Sequence, residues 1–276
     1  MEPDLPHIVI RPPSRWAPLQ PREVWEFRDL LTRFTIRDLK LRYKQTALGV
    51  IWVVLQPLLS AGVFSFVFGK VAKLSSDGVP YFAFAYVSMA LWSVFAQTLT
   101  KIAGSLVGNS QLISKIFFPR LVLPLSSVGS TMVDFAVSAV MGIVVLAVAG
   151  VAPGWALLTF PIWVVLVLLI ATGVGLAAAA LMVQYRDVVH MLPVVTQLLL
   201  YGTPIAYAVS AVPQSARAVV RFNPLTGLME AFRWSVLRTP APSLASVIFS
   251  SVAAVVVFVL GASVFTRKER RFADVI

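Results

Sequence analysis

The sequence predicts an all-α membrane protein with six transmembrane helices, and three observations support this prediction. Hydrophobic residues make up 58% of the 276 residues and charged residues only 13%, which is too little polar surface for a soluble domain of this size. Apolar runs of ~18 residues or more recur along the chain, and a helix of that length crosses the hydrocarbon core of a bilayer. The runs lack the alternation of a β-strand, so helices are favoured.

The chain begins with a polar, proline-rich segment, residues 1–21, which we expect to be an extended tail. It lacks the basic-then-apolar pattern of a secretion signal, so no cleaved signal peptide is predicted. An amphipathic helix is predicted next, at about 25–45, lying at the cytoplasmic surface of the membrane. Its apolar stripe has helical spacing and consists of Phe27, Leu30, Leu31 and Phe34. Residues 22–276 are then expected to form one transmembrane domain.

Six apolar segments are predicted to span the membrane as helices. They lie at about 47–69, 81–100, 121–149, 157–183, 191–209 and 244–265. Most of the 23 Lys and Arg residues fall on the side of these spans that holds the two termini. The positive-inside rule therefore predicts that both termini are cytoplasmic. Topology and anionic lipid headgroups account for the net charge of +11, so no nucleic-acid surface is predicted.

Several kinds of reactive site are excluded by the residues that the chain lacks. There is no cysteine, which rules out disulfides, thiolate metal sites and cysteine nucleophiles. There is no G-x-x-x-x-G-K-[ST] motif, so no ATP site is expected in this chain. The two histidines, His7 and His190, are far apart and have no ligand-like neighbours, so no metal site is predicted. Asp134 is the clear ionisable residue inside a span, and a structural or cavity-lining role is favoured over ion coupling.

The segment 204–242, between the last two spans, is too long for a turn and is interrupted by prolines. It predicts a re-entrant or interfacial helical hairpin on the outer side, acting as a gate or lid. Asn223 and Pro224 are expected to start its second helix, since both are favoured at a helix N-terminus. Glu230 and Arg233 are three residues apart on that helix, so they are expected to face each other. We expect this helix to cover the cavity mouth at rest and to move away during transport.

Aromatic residues cluster towards the ends of several spans, and two interpretations remain open. One is the ordinary aromatic belt at the membrane interface. The other is a stacking surface for sugar rings, whose C–H faces suit aromatic faces. The candidates for this second role are Phe64, Phe68, Tyr81, Phe84, Tyr86, Trp92, Tyr201 and Tyr207.

Three motifs occur in order over most of the chain and resemble one family. They are RDLKLRYKQTALGVIWVVLQPLL at 37–59, QLISKIFFPRLVLP at 111–124 and NPLTGLMEAFR at 223–233. From about residue 25 onwards, the chain resembles the transmembrane subunit of bacterial ABC-2-type exporters, which carry O-antigen, capsule, teichoic acid and related glycans. The resemblance implies an ATP-driven exporter of a lipid-linked polysaccharide across the bacterial plasma (inner) membrane.

The same resemblance implies a homodimer above two copies of a separate P-loop ATPase, which binds ATP and Mg. This chain would then be a transport subunit rather than an enzyme, and would hold no cofactor. The helix at about 25–45 and the loop at 102–118 would contact the ATPase, and the hairpin at 204–242 would gate the outer mouth. The candidate coupling residues are Arg37, Asp38, Lys40, Arg42, Tyr43, Lys44 and Lys115.

Two other transport functions are less favoured by the same residues. An ABC-2-type exporter of a drug or a lipid would share the predicted topology. An ion-coupled secondary transporter would need more charges within the spans and an inverted repeat. A membrane-bound glycosyltransferase would need paired carboxylates facing a nucleotide sugar, and the sequence lacks such a pair.

Overall fold

The computed structural model describes residues 21–44, 51–116 and 118–269, and every regular element in these ranges is a helix. The all-α prediction is therefore confirmed for the described part of the chain. Nearly all of the predicted proline-rich tail lies outside these ranges. So do the first residues of the first predicted span, 47–50, and the end of the chain beyond residue 269.

The α-helices of the described ranges are numbered in chain order. They are α1 (Pro21–Glu26), α2 (Arg28–Tyr43), α3 (Ile51–Phe64), α4 (Tyr81–Gly104), α5 (Ser110–Ile113), α6 (Val122–Val148), α7 (Phe160–Gln184), α8 (Val188–Gly202), α9 (Gln214–Phe222), α10 (Pro224–Leu237) and α11 (Leu244–Glu269). A π-helix, Ser65–Val71, continues α3, and a 3-10 helix, Trp155–Thr159, precedes α7.

Five helical segments of the described ranges are long and apolar enough to cross a membrane. They are Ile51–Val71, Tyr81–Gly104, Val122–Val148, Trp155–Gln184 and Leu244–Glu269. Each corresponds to a predicted span.

The remaining predicted span, 191–209, differs from the structure. Helix α8 covers Val188–Gly202, so its 15 residues extend about 22 Å at ~1.5 Å per residue, short of the ~30 Å core. It ends because Thr203 precedes Pro204, and a residue before proline is driven out of the helical region; Thr203 has φ −104° and ψ 138°. The boundary predicted at residue 209 is therefore wrong, and a sixth full-length span is not confirmed.

Helices α4 and α7 form the centre of the bundle. In the most apolar part of each span, about 78% of the α4 residues and 61% of the residues of the α7 segment are buried, against 22% of the α11 residues. Glycines allow α7 and α11 to pack closely, since a Cβ atom added to Gly261 would lie 1.9 Å from the carbonyl oxygen of Gly173. No other residue type fits this crossing unless the two helices separate.

The bundle has two ends that hold different elements. At one, which we call the α2 end, α2 packs across the start of α6 and near the end of α4. At the other, which we call the hairpin end, α9 and α10 follow α8 in the chain, and α10 packs against α11 and α9. Two short helices, α9 and α10, thus lie within the segment 204–242, where a helical hairpin was predicted; that they form a re-entrant hairpin is not confirmed.

Candidate functional site

The apolar stripe of α2 packs on protein. Phe34 is buried against Phe118, Val122 and Leu123, with its ring centroid 5.7 Å from that of Phe118 in an edge-on arrangement. Phe27, Leu30 and Leu31 are partly buried against the same cluster, which confirms the predicted stripe. The helix predicted to lie on the membrane surface is therefore also attached to the bundle.

Two of the predicted coupling residues, Arg37 and Asp38, are bound within the chain. The Nη2 atom of Arg37 donates to Oδ1 of Asp38 and to Oδ1 of Asn109, at 2.9 Å each. Its guanidinium also lies 4.9 Å from the ring centroid of Phe34. These contacts connect α2 to the loop that follows α4.

Arg42, at the last turn of α2, reaches into the bundle. Its Nη1 atom donates to Oδ2 of Asp134 on α6, and Nζ of Lys101 on α4 lies 3.0 Å from the same oxygen. Lys101 also donates to the hydroxyls of Ser130 at 3.2 Å and Thr131 at 3.3 Å. The side chain of Asp134 is only 2% exposed. We call Arg42, Lys101 and Asp134 the charged junction.

The sequence points to Asp134 and Arg42 separately, and Lys101 enters only as one of the 23 Lys and Arg residues whose distribution predicts the orientation. The signal that could have joined them was chemical, since a carboxylate inside a span needs a cation from a neighbouring helix. Lys101 and Arg42 are 33 and 92 residues from Asp134 in the chain, so only the packing of the helices decides which cation meets the carboxylate.

The other coupling candidates face outwards. Lys40, Lys44 and Lys115 are exposed, and the side chain of Tyr43 lies outside the described part of the structure. A cavity of about 450 Å³ opens beside the charged junction, and Arg37, Asp38, Arg42 and Lys101 are among the residues that line it. The predicted coupling set thus divides into residues bound to the bundle and exposed lysines.

At the hairpin end, α10 begins as predicted. Oδ1 of Asn223 accepts from the backbone N–H of Leu225 at 3.0 Å, and Pro224 occupies the first helical position. The side-chain amide of Asn223 also donates to Oγ1 of Thr203 at 2.9 Å. This cap joins the start of α10 to the end of α8.

Arg233 and Glu230 point to different surroundings. The guanidinium of Arg233 is buried, donates to the carbonyl of Pro204 and to Oγ of Ser88 at 3.4 Å, and lies 4.5 Å from the ring centroid of Phe84. Burial lowers the pKa of Arg233 to about 10, so it remains a cation near neutral pH. In the described part of the chain no ion pair joins it to Glu230, which differs from the predicted facing pair.

Glu230 instead lines a polar cavity of about 380 Å³ at the hairpin end, which Arg233 borders as well. Asp77, Arg217 and Arg221 line the same cavity. Burial raises the pKa of the Glu230 carboxyl, and the nearby cations Arg233 and Arg221 oppose that rise.

The candidate stacking aromatics fall into two groups. Phe84, Tyr86 and Trp92 are at most 5% exposed and belong to the apolar core of the chain, so they offer no free ring face. The accessible candidates are Tyr201, which is exposed, and Phe64, Phe68, Tyr81 and Tyr207, which are partly exposed.

Comparison with known proteins agrees with these features. Three curated relatives are each named "O-antigen export system permease protein RfbA". One from Klebsiella pneumoniae is 29% identical over 253 residues, covering 90% of this chain and 95% of the relative. One from Myxococcus xanthus is 28% identical over 255 residues, covering 92% and 97%.

A second protein from Klebsiella pneumoniae is 27% identical over 249 residues, covering 90% of this chain and 95% of the relative. The ABC-2 type transporter family matches residues 30–237, a range that runs from α2 to the end of α10 and includes both ends of the bundle. The chain therefore belongs to the ABC-2 type transporter family.

Proposed function

We propose that this chain is the membrane-spanning subunit of an ATP-driven exporter that moves a lipid-linked polysaccharide across the bacterial inner membrane. The observation that carries the proposal is the alignment, over about nine tenths of the chain, with relatives named as O-antigen export permeases. Five apolar helices long enough to cross a membrane support a multi-pass membrane protein.

The energy source in this proposal is a separate ATPase. The chain has no P-loop motif, so ATP and Mg are bound by a partner subunit. Lys40, Lys44 and Lys115 contact that partner in this proposal, and their exposure supports this role. Tyr43 is assigned to the same contact because it lies between Lys40 and Lys44 in the sequence. Arg37, Asp38 and Arg42 act behind them, because their side chains bind other parts of this chain. Two copies of the chain and two ATPase subunits complete the exporter.

The proposed topology has six crossings and places both termini in the cytoplasm, as the distribution of basic residues requires. The crossing through α8 is completed by the non-helical residues 203–208. A break at membrane depth is tolerated where protein covers it and satisfies its backbone. Residues 203–206 are buried, and the carbonyls of Pro204 and Ala206 accept from Arg233 and from the Tyr81 hydroxyl. The α2 end is then cytoplasmic and the hairpin end is outside.

The gate at the outer mouth consists of α9 and α10, with unequal roles. Most of the 14 residues of α10 are buried, and its Asn223 and Arg233 are bound to the end of α8. None of the nine residues of α9 is buried, and Val219 and Phe222 are 76% and 78% exposed. The helix with Glu230 and Arg233, α10, was expected from the sequence to be the moving part. Because α10 is buried and α9 is not, the proposal assigns the movement to α9, and α10, with Pro224 and Glu230, forms the base against which α9 closes.

The proposal is tested by reconstitution. The chain is purified together with its P-loop ATPase partner, placed in vesicles, and supplied with a lipid-linked polysaccharide on the ATPase side. We expect ATP-dependent appearance of the glycan on the other side, and no hydrolysis by the chain without its partner. Transport of lipids with equal efficiency whether or not they carry glycan would contradict the proposed substrate. Hydrolysis of ATP by the isolated chain would contradict the proposal that a separate subunit is the ATPase.

The gate is tested with an engineered disulfide, which meets no competing thiol because the chain has no cysteine of its own. One cysteine replaces Ser210, just before α9, and the other replaces Asp77, whose carboxylate accepts from the Ser210 hydroxyl at 2.7 Å. Oxidation should stop export and reduction should restore it. The single variants serve as controls, and full export with the disulfide closed would mean that this segment does not move during transport.

A further inference from the structure

The charged junction is the place where a helix outside the spans is bound to a charge inside one. Asp134 lies in the middle part of α6, and its carboxylate is almost fully buried. An ionised carboxylate in such a place is costly unless a cation and hydrogen bonds compensate it. The compensation comes from two directions, α4 and α2, and both cations approach the same oxygen atom.

Lys101 by itself is enough to neutralise Asp134. Both residues lie on spans that pack against each other, and the Lys101 ammonium is further held by the hydroxyls of Ser130 and Thr131. The pair would therefore be satisfied within the bundle. Arg42 adds a second cation to a carboxylate that already has one, and it comes from a helix that does not cross the membrane.

Arg42 is the last of several residues along α2 that attach this helix to the bundle. Near the middle of α2, the Thr35 hydroxyl donates to the carbonyl of Ser126 at 3.1 Å. A Cβ atom added to Gly129 would lie 2.8 Å from Oγ1 of Thr35, so the two helices are in close contact there. Further along α2, Arg37 binds Asn109. Arg42 then fixes the last turn of α2 to α4 and α6 together.

An ion-relay role for Asp134 fits these contacts less well. A relay carboxylate must be reached by water or by another proton-carrying group, whereas Oδ2 of Asp134 accepts from both Arg42 and Lys101. Its side chain is 2% exposed, and the cavity beside the junction is lined by Arg42 and Lys101 and not by Asp134. The arrangement is suited to a joint that holds helices in register.

We propose that the charged junction transmits movement of α2 to the spans: Arg42 pulls on Asp134, so that a displacement of α2 shifts α6 and, through Lys101, α4. This inference rests on the proposed function, in which an ATPase moves α2. Asp134 and Arg42 are then positioning residues for transport, and Lys101 keeps the Asp134 carboxylate oriented when Arg42 moves. Loss of the junction leaves ATP hydrolysis in place but disconnects it from export.

The decisive variant is Arg42→Gln, because it leaves the Lys101–Asp134 pair intact within the bundle and the side chain of Arg42 is 42% exposed. In the reconstituted complex we expect the glycan exported per ATP hydrolysed to fall about fivefold or more, within the usual range of coupling between sites. Asp134→Asn should lower the same ratio. The double variant should export no less glycan per ATP than Asp134→Asn alone, since Asp134→Asn already removes the ion pair that Arg42→Gln breaks.

The matched control is Asp187→Asn, which removes an exposed carboxylate from the turn before α8 and should leave the ratio unchanged. A proportional fall of hydrolysis and export in Arg42→Gln would indicate a loss of folded protein and would overturn the inference. An unchanged ratio in that variant would overturn it as well.

A second readout does not depend on export. Spin labels are placed on α2 at Arg33→Cys, an exposed position, and on α6 at Val140→Cys, which is 64% exposed. In the full chain in lipid nanodiscs, Arg42→Gln should broaden the distance distribution between the labels, and Asp187→Asn should not. An unbroadened distribution means that Arg42 does not hold α2, and the inference fails. Absence of ATP-driven glycan export by the unaltered complex would instead reject the proposed function, and the label distances would still decide whether the junction holds.

Discussion

The two ends of the bundle each bury a charge beside α4, and they satisfy it in opposite ways. At the α2 end, Asp134 meets two cations, Arg42 and Lys101, from two other helices. At the hairpin end, Arg233 meets the carbonyl of Pro204, the hydroxyl of Ser88 and the ring of Phe84. Charged side chains make the direct contacts of the first charge, whereas a main-chain carbonyl, a hydroxyl and an aromatic ring make the direct contacts of the second.

This difference shows what each end can do. A contact between side-chain charges joins two separate helices, so that a displacement of one helix pulls on the other. A contact from a guanidinium to a main-chain carbonyl fixes the backbone itself, and here it closes the break at the end of α8. In the proposed exporter the α2 end transmits movement, whereas the base of the hairpin stays in place.

The largest expected effect is on the α2 end. Asp134→Asn leaves Arg42 and Lys101 beside each other without their carboxylate, and we expect the free energy of unfolding to fall by about 3 kcal/mol. Thermal unfolding in a fixed detergent would measure the change. Asp187→Asn, at an exposed site, should lie within about 0.5 kcal/mol of the unaltered protein. An equal effect of the two changes would show that the junction adds no stability.

A somewhat smaller effect is expected at the hairpin end. Arg233→Lys keeps the charge but loses the planar guanidinium, whose Nη1 atom donates to both the Pro204 carbonyl and Ser88 and which lies 4.5 Å from the ring centroid of Phe84, so a loss of about 2 kcal/mol is expected. Arg221→Lys is the matched control, because Arg221 lines the same cavity but is exposed. The same unfolding assay compares them. Tolerance of lysine at 233 would mean that its charge alone matters and that the backbone contact does not.

A third prediction asks whether each charge can be removed together with its partners. Replacing the junction as a set, with Arg42→Met, Lys101→Met and Asp134→Leu, should leave stability within about 1 kcal/mol of the unaltered protein, since buried ion pairs are often replaceable by apolar residues. Coupling of hydrolysis to export should still be lost. No such replacement exists for Arg233, because a main-chain carbonyl cannot be substituted. A triple variant as unstable as Asp134→Asn would remove this distinction.

The smallest effect concerns pH at the hairpin end. Burial raises the pKa of Glu230 above its ordinary value of 4.5, so the folded chain binds this proton more tightly than the unfolded chain. Its contribution to stability is fully present below about pH 4.5 and is lost as the pH rises through the raised pKa. Glu230→Gln should flatten this part of the stability profile measured by unfolding between pH 4 and 8. An unaltered slope would mean that Glu230 titrates as if it were exposed.

Much of the fold could be predicted from local sequence. The apolar segments gave five of the spans with boundaries close to those observed, since length and composition alone decide whether a helix suits a bilayer. The stripe of α2 and the Asn223–Pro224 start of α10 were confirmed because both depend on residues within one or two helical turns. The end of α8 was missed, although Thr203–Pro204 carried the signal.

The sequence by itself determined which segments are helical, which are apolar, where α10 begins and that no P-loop motif is present. Only the tertiary structure decided that Arg42 and Lys101 meet Asp134, that Arg233 turns towards Pro204 instead of Glu230, and that Phe84, Tyr86 and Trp92 are core residues. The reason is the range of the interactions. A cap or a stripe involves neighbours in the chain, whereas the partner of a buried charge is chosen by helices that pack together from distant positions, and a periodic pattern does not specify which helix faces which.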